Sequence, residues 1–213
     1  MAGAASAPLL YLVTDRRQTG GRPLEETVAR ALDGGVDAVQ LREKDLGGAD
    51  LVFLAERLRT LTQRYRARLL VNDRVDVALA VDADGVHLPR DGMPPAVARE
   101  LLGPSRMVGA SVHSRAEAED AAAGGVDFLV FGPVYFTASK AGFGSPRGLE
   151  ELRGLAATLP VPVLAIGGIT AARTGEVLRA GAAGIAVLSA IVAAQDPAAA
   201  AREISSALRA EAR

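Results

Sequence analysis

The sequence predicts a (β/α)8 barrel: eight parallel strands, each followed by a helix, closed into a ring. Three observations carry this expectation. Eight short runs rich in Val, Leu and Ile alternate with segments of helical periodicity along 213 residues. Apolar residues dominate the runs, as strands covered on both faces should show. Finally, GGVDAVQLR, AGGVDFLVFG and AGAAGIAVLS each set a glycine-containing turn between a helix and a strand, an internal echo expected of repeated βα units. The length fits a single domain over residues 1–213, near the lower end for an architecture that usually needs about 250 residues. The competing fold, an open doubly wound sheet, would use only about five or six of the runs. No Gly-x-Gly-x-x-Gly turn follows the first run.

In order, the predicted strands are LLYLVTD (9–15), AVQLREK (38–44), RLLVND (68–73), GVHLP (85–89), MVGASVH (107–113), FLVFGPVY (128–135), PVLAIGG (162–168) and GIAVLSAI (184–191). The predicted helices lie near 23–33, 49–65, 75–81, 94–102, 115–123, 148–158, 171–180 and 197–210. Nothing resembling a linker divides them.

Composition narrows the function. Hydrophobic residues at 49% and charged residues at 23% allow a sizeable core. A net charge of −1 gives no general attraction to nucleic acid or an anionic membrane. The absence of cysteine excludes disulfides, thiolate metal sites and cysteine nucleophiles. Aromatics at 4%, with no Trp, leave no base-stacking platform. The apolar run near the N-terminus is too short for a signal core or a span, so the cytoplasm is the expected location. Of the 24 basic residues only Lys44 and Lys140 are lysines, which draws attention to both.

In such barrels the chemistry sits at the C-terminal ends of the strands. Gln40, Arg42 and Lys44 are two apart, so an extended second strand would turn all three into the barrel mouth beside Glu43. An Arg fork and a Lys point charge there make an anion site. Lys140 lies with Thr137 and Ser139 in the loop YFTASKAGFG, which can fold over a ligand. Asn72 and Asp73 end the third strand, and Asp73 with Asp91 offers hard oxygen donors for Mg2+. His87 reads as a hydrogen-bonded residue of the barrel interior. His113, beside Ser111, is a candidate general acid or base. Gly167-Gly168 after strand seven and Leu188-Ser189 after strand eight match the position where phosphate sites recur in this architecture.

Together YLVTD, VQLREK, VNDRVDVAL, DGVHL, SVHS, FGPVYFTASK, AIGGIT and AVLSAI resemble, in order and spacing, the thiamine phosphate synthase/TenI superfamily. The resemblance covers nearly the whole chain. It implies a transferase that couples 4-amino-2-methyl-5-pyrimidinylmethyl diphosphate to thiazole phosphate, giving thiamine phosphate and pyrophosphate. By similarity Gln40, Arg42, Lys44, Asn72, Ser111 and Lys140 would hold the pyrimidine and its diphosphate, with Glu43 beside them, and Asp73 would ligate Mg2+. Thr137, Ser139, Gly167, Gly168, Leu188 and Ser189 would hold the thiazole phosphate. Arg42, Lys44, Ser111, Lys140 and His113 form the candidate catalytic set. Small phosphorylated molecules are the expected partners, with no nucleic acid or membrane, and a homodimer is the expected assembly.

The resemblance departs at one place. The synthase pattern has its second Mg2+-binding Asp where Gly92 stands, and Asp91 would substitute after a small shift of the loop. PRDGMP and SVHS look more like the TenI branch, which includes a metal-free thiazole tautomerase using a histidine that matches His113. A non-catalytic phosphate-ligand sensor is the third reading. The complete Gln40/Arg42/Lys44 and Asn72-Asp73 sets favour the synthase, since a tautomerase has no diphosphate to hold and a sensor needs neither Lys44, Asp73 nor His113.

Overall fold

The computed structural model describes residues 10–137 and 145–211. Eight parallel strands close into a barrel in chain order: β1 (Leu10–Val13), β2 (Ala38–Leu41), β3 (Arg68–Asn72), β4 (Gly85–Leu88), β5 (Met107–Val112), β6 (Phe128–Phe131), β7 (Val163–Ile166) and β8 (Gly184–Val187). Around it run α1 (Leu24–Asp33), α2 (Gly48–Tyr65), α3 (Val75–Ala80), α4 (Pro95–Leu102), α5 (Arg115–Ala123), α6 (Gly148–Thr158), α7 (Thr174–Arg179), α8 (Ser189–Val192) and α9 (Pro197–Glu211). The expected barrel is therefore observed. Two differences are local. The strands stop two to four residues short of most apolar runs, because polar ends such as Arg42–Lys44 leave the ladder for the mouth. The eighth run is split at Leu188, and its last residues form the short α8.

Strand alternation sorts the core into two shells. Leu12, Val39, Leu69, Val86, Val108, Leu129, Ala165 and Ile185 point outward and pack under the helices. Tyr11, Ala38, Leu70, Phe128 and Leu164 point to the barrel axis. There the register sets a large residue against a small one: Tyr11 against Ala38, Leu70 against Gly85, Phe128 against Gly109 and Leu164 against Gly184. This alternation lets the large side chains share the barrel interior.

The N-terminal rim is pinned by a device behind the sequence echo. The aspartate just before β2, β4 and β6 accepts an N–H from the start of the preceding strand: Asp37 from Leu10 (2.9 Å), Asp84 from Leu69 (2.8 Å) and Asp127 from Val108 (2.7 Å). An arginine covers each carboxylate: Arg209, Arg59 and Arg99 respectively. The segment before β8 carries Ala183 instead and has no such pin.

Among the described residues no helix is long and apolar enough to cross a membrane.

The large-against-small register yields a test. A Cβ at Gly109 would lie 2.3 Å from the Phe128 Cζ. Gly109→Ala should lower stability by about 1–3 kcal/mol, the usual cost of overpacking. Phe128→Leu in the same chain should recover part of that loss. Equal denaturation midpoints for wild type and Gly109→Ala would contradict the packing described.

Candidate active site

Two residues further along each strand than the plug of Tyr11, Leu70, Phe128 and Leu164 and the small residues beside it lies that strand's next inward residue. In register these are Val13 with Gln40, Asn72 with His87, Ser111 with Val130, and Ile166 with Ala186. All eight line a cavity of about 710 Å3 at the C-terminal mouth. The ring is divided by chemistry. Strands β2 to β5 supply Gln40, Asn72, His87 and Ser111, whereas β6, β7, β8 and β1 supply Val130, Ile166, Ala186 and Val13. The cavity floor therefore has a polar half and an apolar half.

Above the polar half stand Arg42 and Lys44, which continue the inward alternation of β2 although the ladder ends at Leu41. Neither makes an ion pair among the described residues. Burial holds the Arg42 guanidinium below its ordinary pKa, and the Asp15 and Glu43 charges oppose that only partly. A pair of cations facing a cavity without carboxylate partners is arranged for an anion.

Glu43 corrects an expectation. It was expected to contact substrate, but it lies between two inward residues and points the other way, 5% exposed. Its carboxylate accepts from the Thr14 hydroxyl (2.7 Å), from the Arg16 N–H (3.1 Å) and from the Arg16 guanidinium (3.2 Å). Thr14 in turn accepts the Arg42 N–H at 2.9 Å. Glu43 thus ties the ends of β1 and β2 together and sets the backbone that carries Arg42. Arg16 is consumed there, forked onto Asp45 as well.

His87 is buried in an aromatic cluster, 5.8 Å from the Tyr11 ring and 5.9 Å from Phe128. Burial, with the Arg42 charge second, pushes its pKa down to about 3. The ring is therefore neutral, and its Nε2 meets the Ser111 Oγ at 2.8 Å. Gln40 donates to the Tyr11 hydroxyl at 3.2 Å. His87 is thus the hydrogen-bonded interior residue expected. His113 also lines the cavity, and its Nδ1 lies 2.5 Å from the Gly132 carbonyl. A donor at Nδ1 leaves Nε2 as the ring's free acceptor.

The apolar half is roofed by two turns. Gly167 and Gly168 have φ of +101° and +65°. A side chain at Gly168 would start 2.6 Å from the Phe136 carbonyl and 2.8 Å from the Tyr135 Cβ, so only glycine fits both the dihedral and the space. Leu188 and Ser189 line the cavity, and Ser189 begins α8, whose first N–H groups have no partner within the helix. Thr137 reaches the cavity from the loop after β6, while Ser139 and Lys140 lie outside the described residues.

The two candidate metal carboxylates are not brought together. Asp73, in a left-handed turn at φ +66°, does not line the cavity. The Asp91 side chain does, but it is 95% exposed, with Arg90 at 3.9 Å. Among the described residues no cluster of three or more metal-binding side chains exists. A Cβ at Gly92 would lie 2.7 Å from the Asp73 Oδ1, so residue 92, rather than 91, faces Asp73.

Sequence reasoning passed over Asp15, Arg17, Gln18 and Arg90, which also line the mouth. Asp15 accepts from Arg17 (3.0 Å) and Gln18 (2.9 Å); burial raises its pKa, but these bonds outweigh that and hold it below the ordinary value. Their signal was present: TDRRQ follows a strand end as directly as REK does.

The sequence profile described as thiamine monophosphate synthase matches residues 10–191. The chain belongs to that family. A Geobacter sulfurreducens protein, provisionally named a thiamine-phosphate synthase, is 56% identical over 188 residues, 88% of each chain. A thiamine-phosphate synthase of Roseiflexus sp. is 46% identical over 196 residues, 92% of this chain and 83% of that one. Among solved structures, thiamine phosphate pyrophosphorylase from Pyrococcus furiosus superposes with a TM-score of 0.86 at 42% identity, covering 95% of this chain and 96% of the other.

The buried neutral His87 sets a pH dependence. The unfolded chain takes up a proton there below about pH 6.5, and the folded chain does not until about pH 3. Stability is therefore full above pH 6.5 and falls as pH drops through that window. Between pH 7 and pH 5 the loss from this group should be about 2 kcal/mol. In denaturant melts His87→Gln should lose that much less over the same interval. The same pH dependence in both chains would contradict a neutral His87.

Proposed function

We propose that this enzyme is a thiamine-phosphate synthase, joining 4-amino-2-methyl-5-pyrimidinylmethyl diphosphate to thiazole phosphate with release of pyrophosphate. The divided ring carries the reading. A polar half under Arg42 and Lys44, which make no ion pair among the described residues, suits an aminopyrimidine with its diphosphate. An apolar half under two backbone turns suits a thiazole with a phosphate. The names of the relatives agree with it.

In this reading the bond from the pyrimidinylmethyl carbon to the diphosphate oxygen breaks, and its electron pair leaves with pyrophosphate. Arg42 and Lys44 balance that charge where it develops, with Lys140 as a third cation. The cationic carbon left on the pyrimidine accepts the lone pair of the thiazole nitrogen, held beside it in the apolar half. Gln40, Asn72 and Ser111 orient the pyrimidine, and His87 holds Ser111 from below. Thr137, Ser139, Gly167, Gly168, Leu188 and Ser189 hold the thiazole phosphate.

Mg2+ suits the donor set, since it takes one or two carboxylates and completes its shell with water and substrate phosphate oxygens. Asp73 does not line the cavity and the Asp91 side chain is in solvent, so Asp91 would join Asp73 at the ion only after a shift of the loop; when bound the ion would supply neutralisation of the departing diphosphate. An Asp at position 92 would bring the carboxylate nearer, but its Cβ would press on Asp73.

Lys44 and His113 separate this reading from a TenI-like tautomerase, in which proton transfer by His113 is the chemical step. Lys44→Ala should lower the coupling rate about 10²- to 10³-fold, the usual cost of losing one well-placed electrostatic contact. His113→Ala should be milder. Coupling that survives Lys44→Ala, or a metal-free isomerisation of the thiazole carboxylate phosphate lost in His113→Ala, would overturn the assignment.

A further inference from the structure

Outside the cavity three side chains converge on the back of the Gly167-Gly168 turn. Arg173, exposed on the single helical turn after β7, donates from Nη1 to the Gly168 carbonyl at 2.6 Å. Its guanidinium lies 4.4 Å from the centre of the Tyr135 ring. The Tyr135 hydroxyl donates to Glu176 at 2.6 Å. None of the three lines the cavity.

The Gly168–Ile169 peptide is trans, so its C=O and N–H point in opposite directions. A carbonyl drawn outward to Arg173 turns the Ile169 N–H inward. Ile169 bears this out independently. Its side chain packs in the outer shell of the core, 3% exposed, yet the residue lines the cavity. With the side chain packed in the core, the backbone is the part left to face a ligand there. Among the described residues that N–H donates to no backbone carbonyl.

We infer that Arg173 is a positioning residue for phosphate recognition: it locks the Gly168–Ile169 peptide so that the Ile169 N–H faces the bound phosphate. Glycine at 167 and 168 leaves this peptide free to rotate in isolation. Arg173 removes that freedom beforehand, with Tyr135 as the surface that holds the guanidinium flat and Glu176 as the anchor of Tyr135. A donor fixed in advance binds more tightly than one that must be ordered on binding. The inference rests on the reading of this turn as the thiazole phosphate site.

Calorimetric titration of thiazole phosphate and of its dephosphorylated alcohol tests both statements separately. Wild type should prefer the phosphate. Arg173→Met, which keeps the side-chain length and removes the donor, should reduce that preference about five- to tenfold by weakening phosphate binding alone. Arg173→Lys, which restores a donor, should recover most of it. A preference unchanged in Arg173→Met, or equal losses in Arg173→Met and Arg173→Lys, would overturn the role of Arg173 while leaving the phosphate site standing. Equal affinity of wild type for phosphate and alcohol would overturn the phosphate reading and this inference with it.

Discussion

In a closed parallel barrel successive residues of each strand alternate between the axis and the helices, and the rest of this structure depends on that constraint. Here one level is spent on closure. Tyr11, Leu70, Phe128 and Leu164 fill the axis, and Ala38, Gly85, Gly109 and Gly184 make room for them. Because that level is sealed, the next one becomes a floor open only toward the mouth. Polar groups such as Gln40, Asn72 and Ser111 can sit there without being lost in an apolar interior. The aspartates at the other rim, Asp37, Asp84 and Asp127, tie neighbouring strands together there.

The same alternation governs the charges. Around the mouth Arg16 is held by Glu43 and Asp45, and Arg17 by Asp15. Arg42 and Lys44 are left to the cavity. On β2 parity separates the roles: Arg42 and Lys44, which continue its inward set, face the ligand space, and Glu43 between them serves the scaffold. The phosphate half works differently. There the binding groups are backbone, and side chains act from behind them.

Most of the fold was legible because strands covered on both faces leave a strong apolar signal, and every predicted strand and helix has its counterpart. The inward set Gln40, Arg42 and Lys44 followed from period-two alternation alone. The same alternation excludes Glu43 from that set, so its inclusion came from the motif rather than the geometry. Arg17 and Arg90 were missed because arginine is the common cation of this chain and only lysine stood out. Asp91 was assigned by adjacency to Gly92, and one residue of offset in a tight turn, closed by the Gly92 N–H on the Pro89 carbonyl at 3.0 Å, is enough to send its side chain to solvent. The Arg173 contact could not be read at all, since it depends on which way a single peptide faces.

The most direct measurement of the central claim is product analysis by mass spectrometry and 31P NMR. The purified protein would be incubated with the aminopyrimidine diphosphate and thiazole phosphate, together and singly, with and without Mg2+. Two ligands held side by side over a divided floor predict thiamine phosphate and pyrophosphate in equal amounts, formed only when both substrates are present. Absence of thiamine phosphate in the complete mixture, with aromatisation of thiazole carboxylate phosphate in a parallel incubation, would contradict it.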